Sequence, residues 1–349
     1  MKAANLPIQR RASAKLLIVD GRRMIAHRLR SDFADLLHAG DLVIANDAAT
    51  LPANLAGWHE RTGRGIEVRL AGRNTFGFDE FRQFSAVVFG LGDFRMRTED
   101  RPAPPAFAHG DRLRLGLLRA TVMDVLNHPR LILLEFDGTP AEIWEGLARH
   151  GRPIQYSHVP LPLAIWDTWT PIAGPPVAFE PPSAGFVLDW KTLSSMKARG
   201  VQFATITHAA GISSTGDQQL DAQLPFDEPY VIPASTARAL GEARMRGGRI
   251  IAVGTTVVRA LEHCAAIFDG NVRWGEGKAT NRIGRHSAIQ VVNAIVSGTH
   301  EPGTSHYELL RAFVDDEILH RVDRELALHD YRTHEFGDSV LIERTRGLR

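Results

Sequence analysis

The residues best suited to chemistry lie where apolar runs give way to small or polar side chains. In RIIAVGTTVVRALE, residues 249–262, a short apolar run meets Gly254, Thr255 and Thr256, and apolar residues then continue at helical spacing. The pattern predicts a strand, a tight turn and a helix, with Gly254 permitting the turn and Thr255 or Thr256 capping the helix. A helix N-terminus facing a strand's carboxyl end is an anion site, for a phosphate or a carboxylate. Arg259, one turn further on, can add a charge-assisted fork. The same pattern also makes an ordinary strand-to-helix corner. His208 follows the apolar run 201–207 and precedes small residues, so it is either an imidazole at a pocket mouth or a satisfied strand-end histidine. Asn46 and Asp47 end another apolar run, where side chains reach ligands in α/β sheets or simply turn the chain. Asp338, after Gly337, is likewise a turn residue or a carboxylate held in a site.

Composition narrows the classes. The chain has 349 residues, 44% hydrophobic and 23% charged, and a formal net charge of +1. That is enough chain for two domains with a sizeable core, and the charge supplies no global field for nucleic acid. Any RNA contact rests on local basic patches: Arg10-Arg11, residues 244–249 and residues 344–349. The single cysteine, Cys264, excludes an internal disulfide and a thiolate metal site, and reads as a small core residue. Fifteen histidines are present, but none has metal-site spacing. His300 and His306 are separated by Glu-Pro-Gly-Thr-Ser, which breaks any shared helical face, so no metal is expected. The N-terminus has charges where a signal peptide needs its apolar core, and no run approaches the ~20 apolar residues of a membrane span. The expected setting is the cytoplasm, without a membrane partner.

The elements that must hold these residues follow in order. Residues 16–19 and 24–29 predict a hairpin around Asp20-Gly21. A short helix follows, with Ser31 or Asp32 as its cap and Gly40 closing it, and then a strand at 42–45. Between about residue 55 and residue 137 only short β-like runs appear (65–70, 85–89, 112–115, 119–125, 131–136), which predicts a small barrel or sandwich. A helix at 141–149 begins after Pro140 and stops before Gly151. Residues 152–182 are rich in proline and aromatics and too apolar for a flexible linker, so they predict a long packed loop. Ser183, Ala184 and Gly185 lead into a helix with Trp190, Leu193 and Met196. A strand at 201–207, a helix at 233–246, the 249–268 unit, an apolar segment at 287–297, a helix from 307 towards 328 and a terminal strand complete the chain. The expected fold is a mixed-sheet α/β domain, residues 1–55 plus 138–349, with an inserted barrel-like all-β domain, residues 56–137.

Taken in order, NDAATLPANL, PPSAGF, ATITHAAG, GGRIIAVGTTVVRALE, GTHEPGTS and YRTHEFGDSVLI resemble the successive signatures of the S-adenosylmethionine:tRNA ribosyltransferase-isomerases of queuosine biosynthesis. The resemblance spans nearly the whole chain, and Gly254-Thr255-Thr256 with Arg259 and Glu262 is its most specific part. It implies an α/β domain with an inserted β-barrel. It also implies an enzyme that uses S-adenosylmethionine as a ribosyl donor. The acceptor would be the aminomethyl group of a 7-deazaguanine in the tRNA anticodon; adenine and methionine leave, and an epoxycyclopentane forms. Under that resemblance His208, Asp338 and Glu228 are the catalytic candidates, and Asn46, Asp47, Gly254, Thr255, Thr256, Arg259 and His300 the substrate-binding ones. Departures from the family pattern are Ala49 for an arginine, Val187 for a histidine, Gly298-Thr299-His300 for Asn-Phe-His, and the loss of paired histidines before Glu228. Two other readings stay open at this stage. One is a relative that uses S-adenosylmethionine with a small-molecule acceptor or cleaves it without tRNA; the other is a non-catalytic protein that binds an adenosyl ligand or RNA.

Overall fold

The computed structural model describes residues 1–8, 13–77 and 81–344. Arg10, Arg11 and the basic residues beyond Arg344 lie outside them. The frame is a nine-stranded sheet. In spatial order its strands are Gly275–Ala279, Glu228–Ile232, Gln202–His208, Leu42–Asn46, Ile250–Val253, Ala294–Gly298, Ser339–Glu343, Lys15–Val19 and Ile25–Leu29. Four central strands, Gln202–His208 through Ala294–Gly298, run parallel, while antiparallel pairs begin on both sides. The register aligns Ile206 with Asn46, Ala45 with Val253, and Val253 with Val296. The carboxyl ends of the parallel strands therefore finish side by side.

Burial on both faces explains why these strands read as continuous apolar runs rather than alternating ones. Leu42, Ile44, Ile250 and Ala252 pack with helices Ala234–Met245, Thr255–Ile267 and Asp316–Leu328 on one face. Val43, Ala45, Ile251 and Val253 pack on the other, with the 3-10 helix Arg30–Leu36 and helix Trp190–Ala198. Cys264 belongs to the first of these cores.

Between Leu42–Asn46 and Gln202–His208 in sequence, six antiparallel strands close a barrel in the order Leu118–Val125, Leu131–Phe136, Gln83–Gly90, Arg64–Gly72, Asn54–His59, Arg112–Leu115. Closure removes the exposed edges that an open sheet of this size would present. The five β runs seen in the sequence all become barrel strands. The sixth, Asn54–His59, carries no such signal, because only Leu55 and His59 along it are fully buried.

Several local expectations change. The segment from 307 to 328 forms two helices, Ser305–Leu310 and Asp316–Leu328, because Asp315 caps the second through the amide of Ile318 at 3.0 Å. Likewise Ser183–Val187 is a separate 3-10 turn, and Asp189 starts the Trp190–Ala198 helix by accepting from Thr192 at 2.7 Å. In the Arg30–Leu36 helix neither Ser31 nor Asp32 is the cap residue; Leu29 is, and Asp32 instead accepts the Leu29 amide at 3.2 Å. Of the apolar segment 287–297 only Ala294–Gly298 is a strand. Glu228–Ile232 and Gly275–Ala279 are strands without a sequence signal, the first interrupted by Pro229 and the second carrying Gly275 and Gly277. Within the proline-rich segment, Pro176–Ala178 pairs in parallel with Ala49–Thr50, which fixes the loop across the carboxyl ends of the sheet.

Candidate active site at the carboxyl edge of the sheet

A cavity of about 410 Å³ opens at this edge. Its walls come from the Thr255–Ile267 helix start, the loop after His208, the Pro181-Pro182-Ser183-Ala184 turn and the segment from Ser297 to Leu309. Gly254 occupies the helix cap with φ 103° and ψ 152°, a region that side chains strongly disfavour, and no side chain caps the helix. The expectation that Thr255 or Thr256 caps it is therefore corrected. Thr256 Oγ1 instead accepts from Asn46 Nδ2 at 3.3 Å. Gly254, Thr255 and Thr256 all line the cavity, with the helix N-terminus turned towards it.

The charged heart of the site is Glu228. One carboxylate oxygen accepts from the Gly211 amide at 2.5 Å, and the other meets His208 Nε2 at 2.8 Å and the Arg259 guanidinium. Gly211 is required there, since a Cβ would stand 2.8 Å from the carboxylate and 3.0 Å from the Ala71 carbonyl. Burial alone would push Glu228 up. The Arg259 charge, the His208 hydrogen bond and the Gly211 amide outweigh it and hold the group at about 2, so it is a carboxylate at neutral pH.

Arg259 lines the cavity, but its fork is directed at the protein. Besides Glu228 it donates to the carbonyls of Asn281 at 3.2 Å, Phe226 at 3.0 Å and Ala279 at 3.0 Å. It fixes Glu228 rather than presenting a vacant guanidinium to an anion. His208 is fully buried behind Glu228 and does not line the cavity; its Nδ1 has no hydrogen-bond partner. Asn46 ties the strand ends together, bonding to the amide and carbonyl of His208, both at 2.9 Å. Asp47 accepts from the Thr205 and Thr207 hydroxyls at 2.8 and 2.7 Å. Asp338 accepts the amides of Lys15 at 2.9 Å and Arg332 at 2.8 Å. Glu228, Arg259, His300 and the Gly254 turn thus meet at the cavity, whereas Asn46, Asp47, His208 and Asp338 lie outside its lining.

His300 does line the cavity, and so does His306, which sequence reasoning set aside. Their rings stack at 4.3 Å with planes 13° apart. Burial lowers both pKa values, with His306 at about 4 after opposing contributions from Glu228 and Arg259, so both imidazoles are neutral near pH 7. Face-to-face rings do not aim two ring nitrogens at one ion. Among the described residues, His27, Glu325 and His329 bring donor atoms within 4.8 Å of one another, away from the cavity lining. Glu180, Ser213 and Arg282 also line the cavity and were missed. Glu180 sits alone among apolar residues and prolines in AFEPP, where a buried acid is itself a signal.

A nine-stranded mixed sheet, a closed barrel within the chain and a cavity holding charged groups in a largely apolar lining at the sheet's carboxyl edge define an α/β protein with a small-molecule cleft. The sequence model of the family described as queuosine biosynthesis protein matches residues 1–342, and the chain belongs to that family. The S-adenosylmethionine:tRNA ribosyltransferase-isomerase of Thiobacillus denitrificans is 30% identical over 348 residues, covering 98% of this chain and 94% of that protein. The protein of the same name from Brucella ovis is 30% identical over 358 residues, covering 97% and 93%. A crystal structure of S-adenosylmethionine tRNA ribosyltransferase from Thermotoga maritima shares the fold, with a TM-score of 0.52 at 24% identity, covering 97% of this chain and 96% of that one.

Proposed function

We propose that the chain is an S-adenosylmethionine:tRNA ribosyltransferase-isomerase of queuosine biosynthesis, working in the cytoplasm on tRNA that carries 7-aminomethyl-7-deazaguanine. The observation that carries this reading is the cavity itself. Its volume of about 410 Å³ suits a nucleoside-sized ligand, and it joins a helix N-terminus to a held carboxylate and two neutral imidazoles. We take the division into residues 1–55 plus 138–349 and an inserted unit, residues 56–137, as part of the same proposal. Among the described residues no helix is long and apolar enough to cross a membrane.

The chemistry asks for three things. A sulfonium acidifies the neighbouring 5′ carbon, so a modest base can start the reaction. Adenine needs a proton as it leaves, and the methionine carboxylate needs N–H donors. The amides at the Gly254 turn are suited to the carboxylate. His300 and His306, neutral and at the wall, are suited to exchanging protons with substrate atoms. His208 works through Glu228, orienting the carboxylate, and is a positioning residue. Asp47, Asn46 and Asp338 act one layer back by fixing the strand ends and the terminal turn. Incubation of the purified protein with S-adenosylmethionine, with and without that tRNA, tests the reading: adenine and methionine should appear only when the tRNA is present.

A further inference from the structure

The last turn of helix Asp316–Leu328 meets the sheet's edge strand Ile25–Leu29, outside the cavity lining. One carboxylate oxygen there, Glu325 Oε2, stands 3.3 Å from His27 Nε2 and 3.3 Å from His329 Nδ1. Two imidazoles thus converge on one oxygen, and donor atoms of all three residues fall within 4.8 Å of one another. The distances separate two readings. A charge-assisted hydrogen bond between imidazolium and carboxylate closes to about 2.7–2.9 Å, as His208 does on Glu228 at 2.8 Å. Neighbouring ligands of a tetrahedral zinc ion, with bonds of about 2.0–2.1 Å, stand about 3.3–3.4 Å apart.

His27 is also held as a ligand is held. Its Nδ1 lies 3.0 Å from the hydroxyl of Tyr331, a buried residue. A proton on Nδ1, donated to that oxygen, leaves the Nε2 lone pair facing Glu325; an outer hydrogen bond of this kind sets the tautomer of metal-bound histidines. Glu325 and His329 are four positions apart at the helix end, a spacing that puts two ligands on one helical face. His329 Nδ1 also meets the Glu325 carbonyl at 3.0 Å, and that contact is the one an ion replaces. Around the cluster, Lys15 donates its ammonium to the carbonyls of His329 and Asp330, and Arg23 pairs with Asp315 at 2.6 Å. The helix is therefore fastened to the hairpin at both ends.

We infer that His27, Glu325 and His329 form a site for a divalent transition-metal ion of the zinc class, with a fourth position left to water. Two imidazoles and one carboxylate are a donor set that zinc takes. The ion ties the edge strand to the last turn of the helix across 298 positions of sequence, which is why no motif announces it. Its binding free energy adds to that of the fold. The site is independent of the reaction proposed above.

The full chain, stripped with a chelator, is titrated with zinc chloride by calorimetry, and its melting temperature is read with and without zinc. Wild type should take up one equivalent with a dissociation constant of about 1 μM or tighter, and should melt several degrees higher with zinc in excess. His27→Gln and Glu325→Gln should each weaken uptake about a hundredfold and abolish the rise in melting temperature, and Tyr331→Phe should weaken uptake about tenfold. Tyr331→Phe leaves all three ligands in place, so its loss reads the orientation of His27. His329 is half-exposed, so His329→Gln keeps the fold and carries the test where the other ligand variants melt below the assay temperature. His109→Gln, at an exposed histidine beside barrel strand Arg112–Leu115, should bind like wild type. A wild type that takes up no zinc overturns the site, as does equal uptake by the folded ligand variants. Magnesium chloride should show no uptake at the same concentration; uptake equal to that of zinc would mean a carboxylate acting without the imidazoles and would overturn the site as well.

Discussion

Glu228 is the residue on which the cavity's electrostatics converge, since Arg259, His208 and the Gly211 amide all act on one carboxylate. Its pKa, about 2 in the fold, lies below the ordinary carboxylate value of 4.5. A depressed carboxylate stabilises the fold above its unfolded pKa, so this contribution should fade as pH falls from about 4.5 towards 2. Glu228→Gln should cost about 3 kcal/mol or more at pH 7 by leaving the Arg259 charge buried without its partner, and should flatten that acid limb in denaturant titrations. Glu180 has the opposite sign. With a raised pKa it binds its proton more tightly in the fold, so stability should decline as pH rises from 4.5 to about 8, and Glu180→Gln should remove the decline. His208→Ala should lower turnover about a hundredfold by letting the Glu228 carboxylate shift from its held position, while donor affinity, measured by calorimetry, changes little. His208 and the Gly254 turn were legible because each ends an apolar run. Glu180 and His306 were not, because what matters about them is which distant segments they meet.

At the scale of elements, the Gly254 turn is the most demanding piece. Gly254→Ala would place its Cβ 3.6 Å from Ala184 Cβ and from Thr256 Oγ1, ordinary contacts, so the cost comes from a backbone conformation open only to glycine. A loss of roughly 1–3 kcal/mol is expected, read as a lower melting temperature, together with weaker donor binding as the helix start shifts. Strands buried on both faces, such as Leu42–Asn46 and Ile250–Val253, announce themselves as apolar runs. Glu228–Ile232 and Asn54–His59 do not, because their strand character comes from pairing partners far away in sequence. Helix ends were legible to the extent that a cap was local. Asp315 and Asp189 are such caps, but the apolar spacing around each was read as continuous helix.

For the whole molecule, the sheet gathers the strand ends, the proline-rich segment crosses them, and the barrel is built from the chain between two neighbouring sheet strands. Ala71, at the end of a barrel strand, lies against Gly211 of the cavity wall, so the barrel and the cavity meet there. A ligand that binds only the folded cavity stabilises the molecule by mass action. S-adenosylmethionine at 100 times its dissociation constant should therefore add about 2.7 kcal/mol, seen as a rise in melting temperature. The most direct test of the account is mass spectrometry of adenine and methionine release from S-adenosylmethionine, with and without tRNA bearing 7-aminomethyl-7-deazaguanine. The account predicts release that requires the tRNA and a matching gain of mass on the RNA; release without tRNA, or none in its presence, would contradict it.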